Sequence, residues 1–133
     1  MIGPSSSLDS SFYAHYESGV EKKRLLKEGS HSLEFYQTKQ ILSKYIPKKP
    51  VTILDIGGGP GQYSFWLASI GHHVHLVDIV PLHVRQAQET QRRSKTRLAS
   101  ITLGDARILD FDSSTAHYVL MFGPLYHLVQ RKE

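Results

Sequence analysis

Two features of this 133-residue chain could do chemistry. The first is Val51-Thr-Ile-Leu-Asp-Ile-Gly-Gly-Gly-Pro-Gly61, an apolar run that leads into a glycine cluster. The second is Asp78, which ends the next apolar run. An apolar run, a glycine cluster and a helix-like segment, in that order, are the sequence form of a strand, a tight turn and a helix amino terminus. Glycine lets a backbone approach a ligand closely and take φ values closed to other residues. A carboxylate at the end of the following strand is placed to accept hydrogen bonds from ribose hydroxyls. Together these residues describe a nucleoside-cofactor site at the edge of a parallel sheet.

The glycine spacing bears on which cofactor. The dinucleotide fingerprint is G-x-G-x-x-G, its third glycine allowing close packing of helix on strand. With Gly57 and Gly59 as the first two glycines, Gln62 stands where the third is required. Asp55 precedes the turn, inside the strand. A pyrophosphate needs bare helix N–H groups and no nearby negative charge. Asp55 opposes such a ligand and suits one with cationic groups. A nicotinamide dinucleotide stays open as an alternative that Gln62 and Asp55 count against, and so does a purely structural glycine turn.

Further apolar runs follow in order. His73-Val-His-Leu-Val-Asp78 reads as a second strand, Leu98 to Ala106 as a third ending in Gly104-Asp105-Ala106, and Ala116 to Leu128 as a fourth running into a loop and helix. With Asp55-Ile-Gly57-Gly-Gly59-Pro-Gly61, this order resembles the class I S-adenosylmethionine (SAM) methyltransferases. The segment Gly123-Pro-Leu-Tyr-His-Leu128 is similar to the group that includes the ubiquinone- and menaquinone-biosynthesis enzymes. The resemblance implies that Gly57, Gly58 and Gly59 lie under the methionine part of SAM, with Asp55 orienting that end. It implies that Asp78, with Ile79 beside it, takes the ribose. Asp105 and Ala106 would meet the adenine, and Phe122, at the end of the fourth strand, would lie under the methionine part. Tyr126 and His127 would face the methyl acceptor, one of them as a general base, and Tyr13, Tyr16 and Arg24 would form a lid.

Composition narrows the classes. The length suits one domain, and an apolar content of 40% suffices for a core. No run of ~18 or more apolar residues marks a membrane helix, and the amino terminus lacks the pattern of a signal peptide, so the cytoplasm is the expected location. With no cysteine there are no disulfides or thiolate metal sites. The net charge of +4 gathers at Lys22–Arg24, Lys48–Lys49 and Arg92–Arg97. These clusters lack the interleaved aromatics that stack bases, and they read as solvated faces and helix ends rather than a nucleic-acid surface. Eight histidines invite a metal hypothesis, but no H-x-x-x-H helical pair is present, and no metal is expected.

The elements that must position these residues follow from the punctuation. Residues 1–10 read as a disordered lead and 11–133 as the folded domain. Helices are expected over about 11–28, 32–45, 61–69 and 81–93, and strands over 51–56, 73–78, 98–103 and 116–122. Leu33, Tyr36, Ile41, Leu42 and Tyr45 approximate the apolar stripe of the second helix. Phe65, Trp66 and Leu67 are expected to be the buried residues of the third, with Gly71 as its stop. Pro81 suits the first turn of the fourth. The alternation gives an α/β, Rossmann-like, doubly wound parallel sheet, which the resemblance orders 3-2-1-4.

The expected function is SAM-dependent methyl transfer to an acceptor, a small molecule by resemblance. The alternative is a catalytically incomplete SAM-binding or dimerising fragment, because the family's sheet continues beyond strand four. That continuation also implies an apolar edge at Val119–Phe122, expected to be covered by a second copy in a homodimer.

Overall fold

A computed structural model describes residues 30–122 of the chain. The expectations that fall on 1–29 and 123–133 lie outside the described residues. They are the disordered lead, the helix over 11–28, the lid of Tyr13, Tyr16 and Arg24, and the acceptor-facing pair Tyr126 and His127.

The described residues form α1 (Ser30–Tyr45), β1 (Thr52–Ile56), α2 (Gln62–Ser69), β2 (His73–Asp78), α3 (Pro81–Arg93), β3 (Ser100–Leu103) and β4 (Tyr118–Leu120). All four strands are parallel and lie in the order β3-β2-β1-β4. Ile53 pairs with Val74 on one side and with Tyr118 on the other. Parallel pairing buries strands on both faces, and β1 is accordingly buried from Ile53 to Ile56, Asp55 included.

The two faces of the sheet are covered differently. Ile53, Val74, Leu76 and Leu120 pack with Leu42 of α1 and Ile46 just after it, Tyr63 and Leu67 of α2, and Ala87 of α3. All three described helices therefore lie on one face. Leu54, Ile56 and Val77 project to the other, where Ala106, Phe111, Ala116 and Met121 meet them. The period-2 alternation of a strand makes this division: Asp55 and Asp78 fall on the helix-covered face with Ile53 and Leu76.

Three expectations are corrected. Leu33, Tyr36, Ile41 and Tyr45 are exposed, and α1 buries Leu42, with Ile46 just past its end and Phe35 partly covered. The stripe runs 35–42–46, a spacing of seven and then four, and shares only Leu42 with the expected one. In α2 the buried residues are Tyr63, Ser64 and Leu67, whereas Phe65 and Trp66 are only partly covered. The helix lies with its 63–64–67 edge on the sheet. Strand four is shorter than 116–122, spanning Tyr118–Leu120, because only three residues find partners in β1. The stop of α2 is as expected. Gly71, at φ 106°, donates to Ala68 O, and His72 N donates to Leu67 O, which closes a Schellman motif.

Candidate functional site

The order β3-β2-β1-β4 reverses direction of growth beside β1. In open α/β sheets a crevice forms at that point, outside the carboxyl ends of the strands. The loop after β1 occupies it. Gly57, Gly59 and Gly61 have φ of 69°, 60° and 93°, the left-handed region that a side chain resists. Gly57 N donates to Val77 O at 2.7 Å, which ties the loop to β2. Gly61 is the N-cap of α2 and brings no side chain to it, so the first amides of that helix are left to other acceptors. Gly58 is required for another reason. A Cβ there would stand 2.5 Å from both Asp55 Oδ2 and Leu76 Cδ1.

Two carboxylates sit under this loop. Asp55, 2% exposed, accepts a hydrogen bond from Ser64 Oγ at 2.7 Å. Burial pushes its pKa up to about 6; the Ser64 bond works against the rise and the charge of Asp78 adds to it. Asp78, 6% exposed, is held by three donors. Gly59 N reaches Oδ2 at 2.8 Å, and Val80 N and His83 Nδ1 reach Oδ1, each at 2.9 Å. Since a carboxylate only accepts, Nδ1 of His83 carries the proton.

At the end of β3 the chain turns through Gly104 and Asp105. Asp105 is 3% exposed and Arg107 grips both its oxygens, with Nη2 to Oδ2 at 2.6 Å and Nε to Oδ1 at 2.9 Å. These bonds hold the Asp105 carboxyl below the usual carboxylate range against its burial. Ile79 and Ala106 are half-buried on the flanks. Phe122 is exposed beyond β4 and meets the Tyr63 ring edge-on at 5.5 Å. Asp55, Gly57, Gly58, Gly59, Asp78 and Ile79 thus converge at the carboxyl ends of β1 and β2, with Asp105 and Ala106 following the adjoining strand.

Sequence reasoning missed Ser64, His83 and Arg107. Arg107 could have been found as a cation two residues from an acid in a turn. Ser64 is marked only as the small polar residue in an apolar helix. His83 carries no local signal, because its partner lies five residues away across a turn.

Three other described histidines, His72, His75 and His117, serve the sheet. His72 Nδ1 accepts from Val51 N at 3.3 Å and His117 Nδ1 from Thr52 N at 3.0 Å, which satisfies the amides that lead into β1. His75 bonds Ser100 Oγ at 2.7 Å across the β2–β3 pair. Among the described residues no three histidine or acidic side chains are grouped to hold a metal ion. Nor is any described helix long and apolar enough to cross a membrane.

The site's chemistry is that of a phosphate-free ligand. Asp55, buried beneath the amide-lined loop, disfavours a pyrophosphate and suits a cationic group, while Asp78 suits the hydroxyls of a ribose.

Comparison with known proteins agrees. Residues 53–133 match the family profile described as "methyltransferase domain". No curated protein matches. Among solved structures the chain is similar to a protein of Pyrococcus horikoshii OT3, at 32% identity and a TM-score of 0.59, over 69% of this chain and 43% of that one. It is also similar to a SAM-dependent methyltransferase of Methanosarcina mazei, at 28% identity and a TM-score of 0.57, over 64% and 42% of the two chains. The magnesium protoporphyrin IX methyltransferase of Synechocystis PCC 6803, solved with bound SAM, shares the fold at 20% identity and a TM-score of 0.61, over 80% and 59%. The chain spans less than half the length of the first two.

Proposed function

The chain belongs to the methyltransferase-domain family, of the class I, SAM-dependent kind, and we propose that it binds SAM over the β1 glycine loop and serves methyl transfer to a small-molecule acceptor. The observation that carries this reading is the pairing of a left-handed glycine loop with two buried acids, Asp55 beneath it and Asp78 bonded to Gly59 N. SAM has no phosphate. Its ammonium and sulfonium are cationic, which suits Asp55, and its ribose hydroxyls suit Asp78. Its carboxylate suits the amino end of α2. When bound, it supplies a methyl group activated by the positive sulfur.

In this proposal Gly57, Gly58 and Gly59 support the methionine part and Asp55 orients its charged end. Asp78 accepts from the ribose, with Ile79 against the ring. Asp105, pinned by Arg107, and Ala106 border the adenine, and Phe122 shields the methionine side from water. Methyl transfer from sulfonium needs alignment and exclusion of water more than proton transfer. The site accordingly needs no catalytic triad. Tyr126 and His127 remain the proposed acceptor-side pair, one as the general base for an O–H or N–H acceptor. A homodimer through the β4 edge belongs to the same proposal.

Calorimetric titration of the 133-residue chain with S-adenosylhomocysteine and, separately, NADH tests the reading. Saturable binding of the first and none of the second is expected. Binding of NADH alone, or of neither, would contradict it.

A further inference from the structure

The donors around Asp78 leave its carboxylate with one open position. A carboxylate offers about four acceptor sites, two on each oxygen. Oδ1 accepts from Val80 N and His83 Nδ1. Oδ2 accepts from Gly59 N. Among the described residues, the second site on Oδ2 is the one left. Of the three donors, two are backbone amides fixed by the turns they belong to. His83 is the one side chain, 1% exposed, held on the first turn of α3 behind Pro81. It occupies Oδ1 while the loop amide occupies Oδ2, so the carboxylate cannot rotate to exchange its oxygens without breaking a buried bond.

We propose that His83 is a positioning residue for the cofactor's ribose. It locks Asp78 so that Oδ2 alone faces the glycine loop, bonded on one side to Gly59 N and open on the other to a ribose hydroxyl. The proposal rests on the cofactor reading above and adds how this chain presents its ribose-binding oxygen. One oxygen then serves both loop and ligand. Ribose recognition and the loop's conformation are coupled through the same atom, and loss of the His83 bond loosens both. A carboxylate free to rotate would offer either oxygen and would leave Gly59 N without a fixed acceptor.

Three variants of the full chain test this. His83→Leu keeps bulk and removes the donor. His83→Gln keeps polarity but moves the donor away from the Nδ1 position, and it replaces the leucine variant if that one does not fold. His83→Asn restores an N–H where Nδ1 stood. Each is titrated with S-adenosylhomocysteine and with its analogue lacking both ribose hydroxyls. Exchange of the Gly59 amide proton is followed by NMR in the ligand-free chain. His83→Leu and His83→Gln should lose about tenfold or more in affinity for the intact ligand, little for the dihydroxyl-free analogue, and should exchange Gly59 faster. His83→Asn should restore all three. Equal loss for both ligands, or no recovery in His83→Asn, would make His83 a packing residue and overturn the proposal. If the wild-type chain binds neither ligand, the cofactor reading fails and takes the ribose role with it. Gly59 exchange then judges the positioning alone, and unchanged exchange in both loss variants overturns that too.

Discussion

Asp55 and Asp78 lie on the same face of the sheet, yet the protein treats them differently. Asp78 is given three donors, two backbone amides and the His83 ring. Asp55 is given one hydroxyl and deep burial, so its charge is costly and its pKa rises to about 6. The sign of the linkage follows. A folded-state pKa above the unfolded one means the folded state holds the proton more tightly. The contribution of Asp55 is present in full below about pH 4 and is lost as the pH rises through about 6. Asp105, lowered by Arg107, acts in the opposite sense and loses its contribution on acidification. Thermal melting from about pH 4 to about 7 should therefore show Asp55→Asn gaining stability relative to wild type as the pH rises; a parallel pair of curves would remove the buried charge from the account. SAM affinity should fall as Asp55 is protonated below about pH 6, because the neutral acid no longer attracts a cation. Removing the ribose acceptor acts at any pH. Asp78→Ala should weaken SAM binding by about tenfold or more, from the loss of a hydrogen bond to a charged group, and unchanged affinity would take Asp78 out of the site. Asp55, the glycines and Asp78 were legible in the sequence because spacing along one strand–turn–helix unit is local. His83 and Ser64 were not, because their roles arise only when α2 and α3 fold onto that unit.

At the scale of elements, the junction of β1 and α2 is the least forgiving place in the described fold. Gly58→Ala drives a Cβ against Asp55 and Leu76, both in the packed interior. Overpacking of this kind costs about 1–3 kcal/mol and displaces the loop, so melting temperature and SAM affinity should fall together. Gly71→Ala is the control. Nothing stands within 4 Å of its Cβ, but φ is 106°, so the change strains the stop of α2 without touching the loop. It should lower the melting temperature and leave SAM affinity unchanged. Equal effects of the two variants on binding would show that the loop responds to global stability alone. The strands, apart from the short span of β4, and the start of α3 and stop of α2 were readable from apolar runs and from Pro81 and Gly71. The face of α1 was not. Its sequence scatters Leu33, Tyr36, Ile41, Leu42 and Tyr45 among polar residues, and of these contact with the sheet selected Leu42 alone, adding Ile46. Amphipathicity that weak leaves the buried edge to tertiary packing.

At the scale of the whole molecule, β4 stands at the edge of the described sheet, with Val119 55% exposed. An open parallel edge is a template for another chain. Sedimentation of the 133-residue chain at micromolar concentration should show a dimer that a charged substitution at Val119 weakens; a monomer indifferent to that substitution would end the proposal. The methyl acceptor was not legible at any scale. Transfer from sulfonium depends on alignment, which leaves no fixed residue pattern, and a shared fold does not name a substrate. The cofactor end is a different matter, since it rests on backbone conformation and two acids. The most direct test is to map S-adenosylhomocysteine onto the chain by amide chemical shifts. The largest changes should fall at Gly57–Gly61, Asp78–Val80 and Asp105–Ala106, at the carboxyl ends of the strands. None should fall at Val51, His72 and His73, at the opposite ends. Changes confined to those opposite ends, or to the cleft between α1 and α2 lined by Leu42, Lys48, Trp66 and Ile70, would contradict the proposed cofactor site.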